Sequence, residues 1–365
     1  MVTSVRHLGP NWYATVMGTA ILATAGHRLA PAPLTLWAAV WCLSLALLAA
    51  LLTARALHWT HHRDQARAHL LDPATAPFYG CLAMALLAVG GGSLTVGQEW
   101  AGPAAVALGA GLFGTGTVVG LAAAVVVPYL MAVHHRVRLP DASPVWLLPL
   151  VAPMVSAAVG PLLVPSLPAG QARETLLLAC VAMFGLSLLA TLLMLPMVFA
   201  RLLTGGPLPL AVTPTLFLVL GPLGQSTTAA GQFADVAPGV LPAPYADGFR
   251  ALAVLYGVPV TGFALLWGCL ATAHVLRARR HGMRFAMTWW AFTFPVGTCV
   301  TGAESLARHT SLAAFGWLAA GLYAVLAAAW TAAAVPTVRG LVSGALLAGP
   351  RPAPVAPRPV TARTT

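Results

Sequence analysis

Long apolar runs alternate with short polar connections along the chain, and this pattern predicts ten membrane-spanning helices at about 20 apolar residues per crossing. The predicted spans are residues 10–27, 34–57, 76–97, 103–133, 144–166, 172–202, 211–232, 249–276, 285–304 and 311–336. The odd-numbered spans begin at separations of 66, 68, 67 and 74 residues. Such regular spacing indicates one helical hairpin repeated five times.

The two helices of each predicted hairpin differ in kind. Odd-numbered spans are short and carry breakers, with predicted kinks at Pro153, Pro222 and Pro295, whereas even-numbered spans are mostly longer and rich in Ala, Leu and Val. Residues 287–303, MTWWAFTFPVGTCVTGA, show this most strongly, because a proline inside a membrane helix is tolerated only against protein or a water-filled cavity. The pattern favours five broken helices inside five longer ones, and an ordinary transporter bundle remains the alternative.

Composition and charge fit an all-α polytopic membrane protein. The chain is 59% hydrophobic and 7% charged, against roughly a quarter charged in soluble domains. All 19 basic residues are arginines between apolar runs, so the net charge of +11 indicates topology and not nucleic-acid binding. Ten spans place 15 arginines on one side and four on the other, which predicts that both termini lie in the cytoplasm. The expected location is the plasma membrane.

The two ends of the chain carry separate predictions. Residues 6–25 resemble a secretory signal, but Asn11 and Tyr13 make a poor hydrophobic region, so this segment is expected to stay as the first membrane helix. Residues 1–339 are predicted to form one transmembrane domain. The Pro- and Arg-rich residues 340–365 are predicted to be a disordered cytoplasmic tail, with contact to phospholipid as an alternative.

No pattern of catalytic, cofactor-binding or metal-ligating residues lies within the predicted spans. The five cysteines occur singly, as small buried hydrophobes do, and indicate neither disulfides nor zinc. His58, His61 and His62 share a helical face, but the charged residues around them favour a solvated interfacial segment over a metal site. We therefore expect a protein that is not an enzyme and that needs no cofactor.

Uncharged polar residues and glycines on the odd-numbered spans are the candidates for an anion path. These are Thr15, Gly18, Thr19, Ser93, Ser156, Gly221, Gln225, Ser226 and Thr298. Hydroxyl and freed amide groups bind an anion weakly enough to release it. The structural alternative is that the Ser and Thr hydroxyls bond to the backbones of neighbouring helices.

Three further residues bear on how such a path would work. A phenylalanine ring at a kink could block a narrow pore, and Phe294 directly precedes Pro295. Glu304 and Arg308 are four residues apart on one helical face, which favours an interfacial ion pair over a proton relay. With no acidic residue at the centre of the path, passive anion flow is favoured over proton-coupled transport.

Three motifs resemble those of the tellurite-resistance/dicarboxylate transporter family: WWAFTFP at 289–295, RHLGPNWYATVMGT at 6–19 and GPLGQ at 221–225. The resemblance implies five hairpins in quasi-fivefold order, odd-numbered helices lining an anion pore, a homotrimer, and a phenylalanine that closes the pore. The best match to that phenylalanine is Phe294, with Phe292 second.

The sequence thus predicts transport of small anions through a central pore lined by helices 1, 3, 5, 7 and 9. The anion is expected to be either sulfite or a C4-dicarboxylate such as malate. The expected partners are small inorganic or carboxylate anions and the lipid bilayer, without nucleic acid. A proton-coupled dicarboxylate or anion carrier is the main alternative. A membrane enzyme or haem protein is the third.

Overall fold

The computed structural model describes residue 6, residues 8–29 and residues 32–347, and the regular structure in these parts of the chain is helical. The α-helices are α1 (Tyr13–Leu29), α2 (Leu34–His61), α3 (Arg63–Leu71), α4 (Gly80–Gly92), α5 (Gln98–Ala101), α6 (Pro103–Val133), α7 (Leu147–Val159), α8 (Gln171–Gly205), α9 (Leu220–Val236), α10 (Ala243–Arg280), α11 (Phe294–Thr310) and α12 (Ala313–Val342). The tail predicted from residue 340 begins in the last turn of α12, and residues 348–365 lie outside the described residues.

Five helices that we term the inner helices, α1, α4, α7, α9 and α11, each follow a short 3₁₀ segment. These segments are Pro10–Trp12, Ala76–Tyr79, Pro144–Trp146, Leu210–Val219 and Met287–Phe292. In four of the five segments a proline occupies the equivalent position, at Pro10, Pro77, Pro144 and Pro214. Pro10, Pro77 and Pro144 lie in the first turn, where a missing amide hydrogen is tolerated because the backbone donors have no helical acceptor, whereas Pro214 lies inside the longer segment Leu210–Val219.

The outer helices, α2, α6, α8, α10 and α12, are longer and less buried than the inner ones. Between 17% and 33% of their most apolar stretches is buried, against 67% to 94% in the segments that contain α4, α7 and α9. Apolar side chains that remain exposed to this extent are stable against lipid chains, as the sequence predicts for lipid-facing helices. Internal prolines also occur in the outer helices, at Pro128, Pro196, Pro259 and Pro336, so helix breakers are not confined to the inner set.

The inner helices pack against one another in a closed cycle, from α1 to α4, α7, α9, α11 and back to α1. Each outer helix packs against the inner helix of its own hairpin and against the inner helix of the next one. Close approach depends on small residues: a Cβ added to Gly224 of α9 would lie 2.5 Å from the Thr298 carbonyl carbon of α11. Small residues let membrane helices pack at short range.

Eight helical segments among the described residues are long and apolar enough to cross a membrane. They include all five outer helices and the segments around α4, α7 and α9, whereas those around α1 and α11 are not among them. Helices α1 and α11 have 17 residues each, or ~26 Å at 1.5 Å per residue, slightly less than the ~30 Å hydrocarbon core. The described residues therefore form a helical architecture with eight segments suited to crossing a membrane, and the count of ten crossings stays a prediction.

The three prolines predicted to kink helices occupy two kinds of position. Pro153 lies inside α7. Pro222 and Pro295 lie in the first turns of α9 and α11, immediately after 3₁₀ segments. These two prolines mark the change from 3₁₀ to α-helix, because the first turn of an α-helix tolerates a missing donor.

Candidate functional site

Two cavities lie among the inner helices, one toward their N-terminal ends and one toward their C-terminal ends. The N-terminal cavity has a volume of about 40 Å³ in which the centre of a water molecule fits. Its walls include Asn11, Met17, Phe78, Met84, Leu148, Val151, Thr215, Gly221, Trp290 and Phe294. All five inner segments contribute to this mostly apolar wall, and the space exceeds the roughly 10–15 Å³ that one water needs.

The C-terminal cavity is similar in size, about 60 Å³, and more polar. Its polar lining residues are Thr24, Arg28, Thr95, Gln225, Thr228, Gln232 and Thr301. Ile21, Ala88 and Val155 form part of the apolar wall. Since α1, α4, α7, α9 and α11 all contribute, the cavity lies on the same central line as the N-terminal one.

Phe294 belongs to the walls of both cavities, and its side chain is almost completely buried, with 3% exposed. It is the first residue of α11 and follows Thr293, the C-cap of the preceding 3₁₀ segment. Pro295, the next residue, lines only the N-terminal cavity of the two. The Phe294 ring is thus placed where the two spaces come closest to joining.

The lining residues recur along the chain with the same series of separations at each level of the cavities. At the level of Phe294 the equivalent residues are Met17, Met84, Val151, Gly221 and Phe294. Seven positions further on they are Thr24, Gly91, Ala158, Thr228 and Thr301. Both sets are separated by 67, 67, 70 and 73 residues, and the same separations relate one residue of each 3₁₀ segment: Pro10, Pro77, Pro144, Pro214 and Met287.

Gln225 provides an amide with free hydrogen-bonding capacity on the wall of the C-terminal cavity. The residue is 5% exposed, and its Oε1 has no partner among the described residues. One helical turn further along, Thr228 and Thr301 join α9 to α11 through a hydroxyl pair at 2.7 Å. A buried amide oxygen without a partner is unfavourable unless a hydrogen-bond donor such as water satisfies it.

An ionic network lies at the far end of the C-terminal cavity. Arg28 Nη1 is 3.4 Å from Glu304 Oε2, and Arg308 Nε donates to Glu304 Oε1 at 2.7 Å. Arg308 also reaches Asp235 at 3.0 Å. The ion pair expected between Glu304 and Arg308 is therefore present, within a larger network that includes the cavity-lining Arg28.

The predicted anion-path residues separate into two groups. Gly221 and Gln225 lie on the cavity walls. The others contact neighbouring segments or their own helix and lie outside both cavity linings: Thr15, Gly18, Thr19, Ser93, Ser156, Ser226 and Thr298.

The contacts of this second group are specific. Thr19 accepts a hydrogen bond from Trp330 Nε1 at 3.0 Å, Ser93 accepts one from Trp41 Nε1 at 3.2 Å, and Ser156 accepts one from Thr117 at 2.9 Å. Each of these bonds joins an inner helix or its extension to an outer helix. The contacts match the alternative in which hydroxyls serve packing.

Phe292 lies outside both central cavities. Its ring packs edge-on against Phe217 at 5.0 Å and against Trp289 at 6.0 Å, within the 3₁₀ segments that precede α9 and α11. Of the two phenylalanines considered as gates, Phe294 alone borders the central cavities.

The histidines near the end of α2 differ from expectation in one respect. His58 is fully buried, with its ring 5.4 Å from that of His69 and 6.3 Å from that of His62. The prediction of a solvated segment is wrong for His58, because helix α3 folds back beside the end of α2. No cluster of ligating side chains suited to a metal ion occurs among the described residues.

Comparison with known proteins gives matches over nearly the whole chain. The sulfite efflux pump SSU1 of Trichophyton rubrum is 27% identical over 340 residues, covering 90% of this chain and 89% of that protein. The corresponding pump of Arthroderma otae is 26% identical over 336 residues, with the same coverage of 90% and 89%. An uncharacterized transporter of Methanocaldococcus jannaschii is 25% identical over 353 residues, covering 94% of this chain and 96% of that protein.

A sequence profile described as voltage-dependent anion channel matches residues 7–338, a range that contains all five inner and nearly all of the outer helices. This match confirms the resemblance inferred from the motifs at 6–19, 221–225 and 289–295, and it indicates a transporter and not an enzyme. The chain belongs to the voltage-dependent anion channel family.

Proposed function

We propose that this integral membrane protein passes small anions along a central path formed by the two cavities and closed at Phe294. The observation that carries the proposal is that this one buried ring borders both cavities, which are each lined by all five inner segments. Removal or displacement of the ring would join the two spaces. We propose the inner helices, the odd-numbered spans of the sequence, as the pore-lining set.

Quasi-fivefold order and ten membrane crossings are part of the same proposal. The closed cycle of inner-helix contacts supports it, and so do the lining residues that recur at 67, 67, 70 and 73 positions. Helices α1 and α11 would then cross together with their 3₁₀ segments, which lengthen them toward the bilayer thickness. A cavity along the axis of such a ring is shielded from lipid by two layers of helix.

An anion suits the chemistry of the C-terminal cavity. Arg28 supplies positive charge at its far end, while Gln225, Thr228 and Thr301 offer uncharged polar groups nearer Phe294. The Gln225 NH2 group can donate to an anion, whereas the Thr228 and Thr301 hydroxyls donate to the Gly224 and Thr298 carbonyls. An uncharged donor binds an anion without holding it, so that it can leave as well as enter.

Sulfite is the first substrate to test, because two similar proteins are named as sulfite efflux pumps. Malate represents the C4-dicarboxylates that the sequence motifs also suggest. Purified protein in liposomes should pass labelled sulfite or malate faster than protein-free liposomes, with chloride and nitrate as further anions in the panel. An absence of flux for every anion from correctly inserted protein would refute the proposal.

Proton-coupled transport is the second candidate, and the contacts of Glu304 argue against it. Both carboxylate oxygens of this residue contact arginine side chains, those of Arg28 and Arg308. The carboxylate is therefore engaged in structural contacts at the cavity end. A pH dye inside the liposomes distinguishes the mechanisms: acidification that follows substrate and disappears in Glu304→Gln would favour the carrier.

We further propose a homotrimer in the plasma membrane with both termini in the cytoplasm. The arginine distribution supports this orientation. Protease access to either terminus in sealed vesicles tests the orientation, and the mass of the detergent-solubilised protein tests the trimer. Monomeric mass at physiological concentration would refute the trimer without affecting the proposed path.

A further inference from the structure

A long apolar groove runs along the outer surface between α10 and α12, away from the central cavities. Its volume is about 450 Å³, within the range of roughly 300–1,000 Å³ typical of ligand sites. The side walls include Leu265, Gly268 and Leu276 of α10 and Leu322 and Val325 of α12. The floor is formed by residues of α9 and α11, so the groove opens toward the region of the lipid chains.

The groove wall is apolar in its chemistry as well as its composition. Two of its threonines turn their hydroxyls to their own helices: Thr272 donates to the Gly268 carbonyl at 2.7 Å, and Thr227 donates to the Leu223 carbonyl at 3.1 Å. Leu265, Leu276 and Val325 are 41%, 55% and 52% exposed. An occupant that contacts this wall must be apolar, since a polar one would lose hydrogen bonds to water without replacement.

The dimensions fit an acyl chain. The wall residues on α10 extend from Thr261 to Leu276, a rise of ~22 Å at 1.5 Å per residue. One leaflet of the hydrocarbon core is about half of the ~30 Å total. The groove is thus long enough to hold a lipid tail along the depth of one leaflet.

Positive charge continues the same face of α10 beyond the end of the groove. Arg280 is four residues past Leu276 and therefore lies on the same side of the helix, and Arg277 is adjacent in sequence. Both arginines are exposed, and neither forms an ion pair with a carboxylate in the described parts of the chain. By contrast, Arg279 donates to the Met283 carbonyl and lies over the Trp289 ring.

We propose that this groove binds one anionic phospholipid, with an acyl chain between α10 and α12 and the headgroup at Arg280 and Arg277. An apolar channel alone would accept any lipid tail, and the two free guanidinium groups at its end favour a negative headgroup. The groove lining also includes Phe217, in the 3₁₀ segment before α9, and the Phe217 ring packs against the Phe292 ring at 5.0 Å. The lipid would therefore touch the segment that leads to Phe294.

Photo-crosslinking with tail-labelled lipids tests the site directly. The full chain is placed in nanodiscs that contain either a diazirine-tailed phosphatidylglycerol or its phosphatidylcholine counterpart, and adducts are mapped by mass spectrometry. Adducts at Leu265, Cys269 and Val325 should favour phosphatidylglycerol about fivefold, which corresponds to ~1 kcal/mol at 1.36 kcal/mol per tenfold. Arg280→Gln should remove most of this preference. Exposed Arg67, on α3, provides the control, and Arg67→Gln should leave it intact.

A second pair of variants tests the groove itself. A Cβ at Gly268 would lie 3.9 Å from Leu220, so Gly268→Leu fits and fills the groove, and groove adducts should fall at least fivefold. Gly262 lies on the same helix outside the groove lining with open space around it, and Gly262→Leu should leave adducts unchanged. Equal labelling by both lipids, or a preference that survives Arg280→Gln, would overturn the proposal. Absence of lipid adducts, together with Cys269–Cys269 disulfides between chains when a mild oxidant such as copper phenanthroline accepts the thiol electrons, would overturn it in favour of a subunit contact.

Discussion

Truncation of Phe294 is the sharpest test of the proposed path, because the ring is the shared wall of the two central cavities. If the proposed path is correct, an anion passes through the intact protein only when the ring leaves its place. A change to a strained side-chain angle costs of the order of 0.5–1.5 kcal/mol, and the loss of several contacts at ~0.1–0.2 kcal/mol each adds to this. The total is roughly 1–2 kcal/mol, so Phe294→Ala should raise flux about 5- to 30-fold.

The assay compares anion uptake into liposomes that hold equal amounts of inserted protein. Phe292→Ala is the matched control, because it removes the same ring two residues earlier from a position that borders neither central cavity. Its flux should stay within about twofold of the original, well below the change of one decade that 1.36 kcal/mol would give. Phe294→Leu, which keeps most of the bulk, should fall between the two.

Two results would refute this reasoning. If the Phe294→Ala protein elutes and inserts normally but its flux is unchanged, the ring does not close the path. An equal increase in Phe292→Ala would mean that loosening of the 3₁₀ segment, and not the joining of two cavities, opens it. Loss of folding is not expected, because Phe294 adjoins open space on two sides and gives up fewer contacts than a fully packed phenylalanine, whose removal costs ~3–5 kcal/mol.

Three further substitutions test other parts of the site. Gln225→Leu removes the amide NH2 group, the part of this side chain that can donate to an anion, and should lower oxyanion flux about tenfold, near 1.4 kcal/mol, while thermal stability holds or rises because the unpartnered Oε1 is also lost. Arg28→Gln should lower flux several-fold in dilute buffer and much less near 1 M salt, where the screening length falls to ~3 Å. Gly224→Ala would press against the α11 backbone and should lower stability by ~1–3 kcal/mol in thermal unfolding, whereas Gly262→Ala, with open space, should not.

The hairpin repeat could be predicted from sequence because each unit combines a broken segment with a long uninterrupted one. Its register could not be read from hydrophobicity, since the starts of apolar runs are diffuse: they gave separations of 66, 68, 67 and 74, whereas the lining residues follow 67, 67, 70 and 73. Pro10, Pro77, Pro144 and Pro214 carry a better signal. Alignment of the repeats on these prolines would have identified the residues equivalent to Phe294 and those equivalent to Thr24 in each repeat.

The sequence could not predict which hydroxyl groups face the central cavities, and the reason is physical. An inner helix is buried on nearly every side, so polar and apolar residues do not divide into a wet face and a dry one. Thr15 donates to the Trp12 carbonyl, and Thr298 donates to the Pro295 carbonyl, as hydroxyls in helices commonly do. Only the contacts of neighbouring helices distinguish these residues from Thr228 and Thr301 at the cavity.

The repeat also explains why a single side chain could control the whole path. A symmetric oligomeric pore would place five identical residues at each level, whereas a fused repeat permits five different ones. At the level of Phe294 the other four positions hold Met17, Met84, Val151 and Gly221. Gly221 has no side chain, and a Cβ there would meet nothing within 4 Å, so there is free space at this level. One large ring that shares a cavity wall with a glycine can close a narrow path and still have room to move, which five phenylalanines crowded together would not.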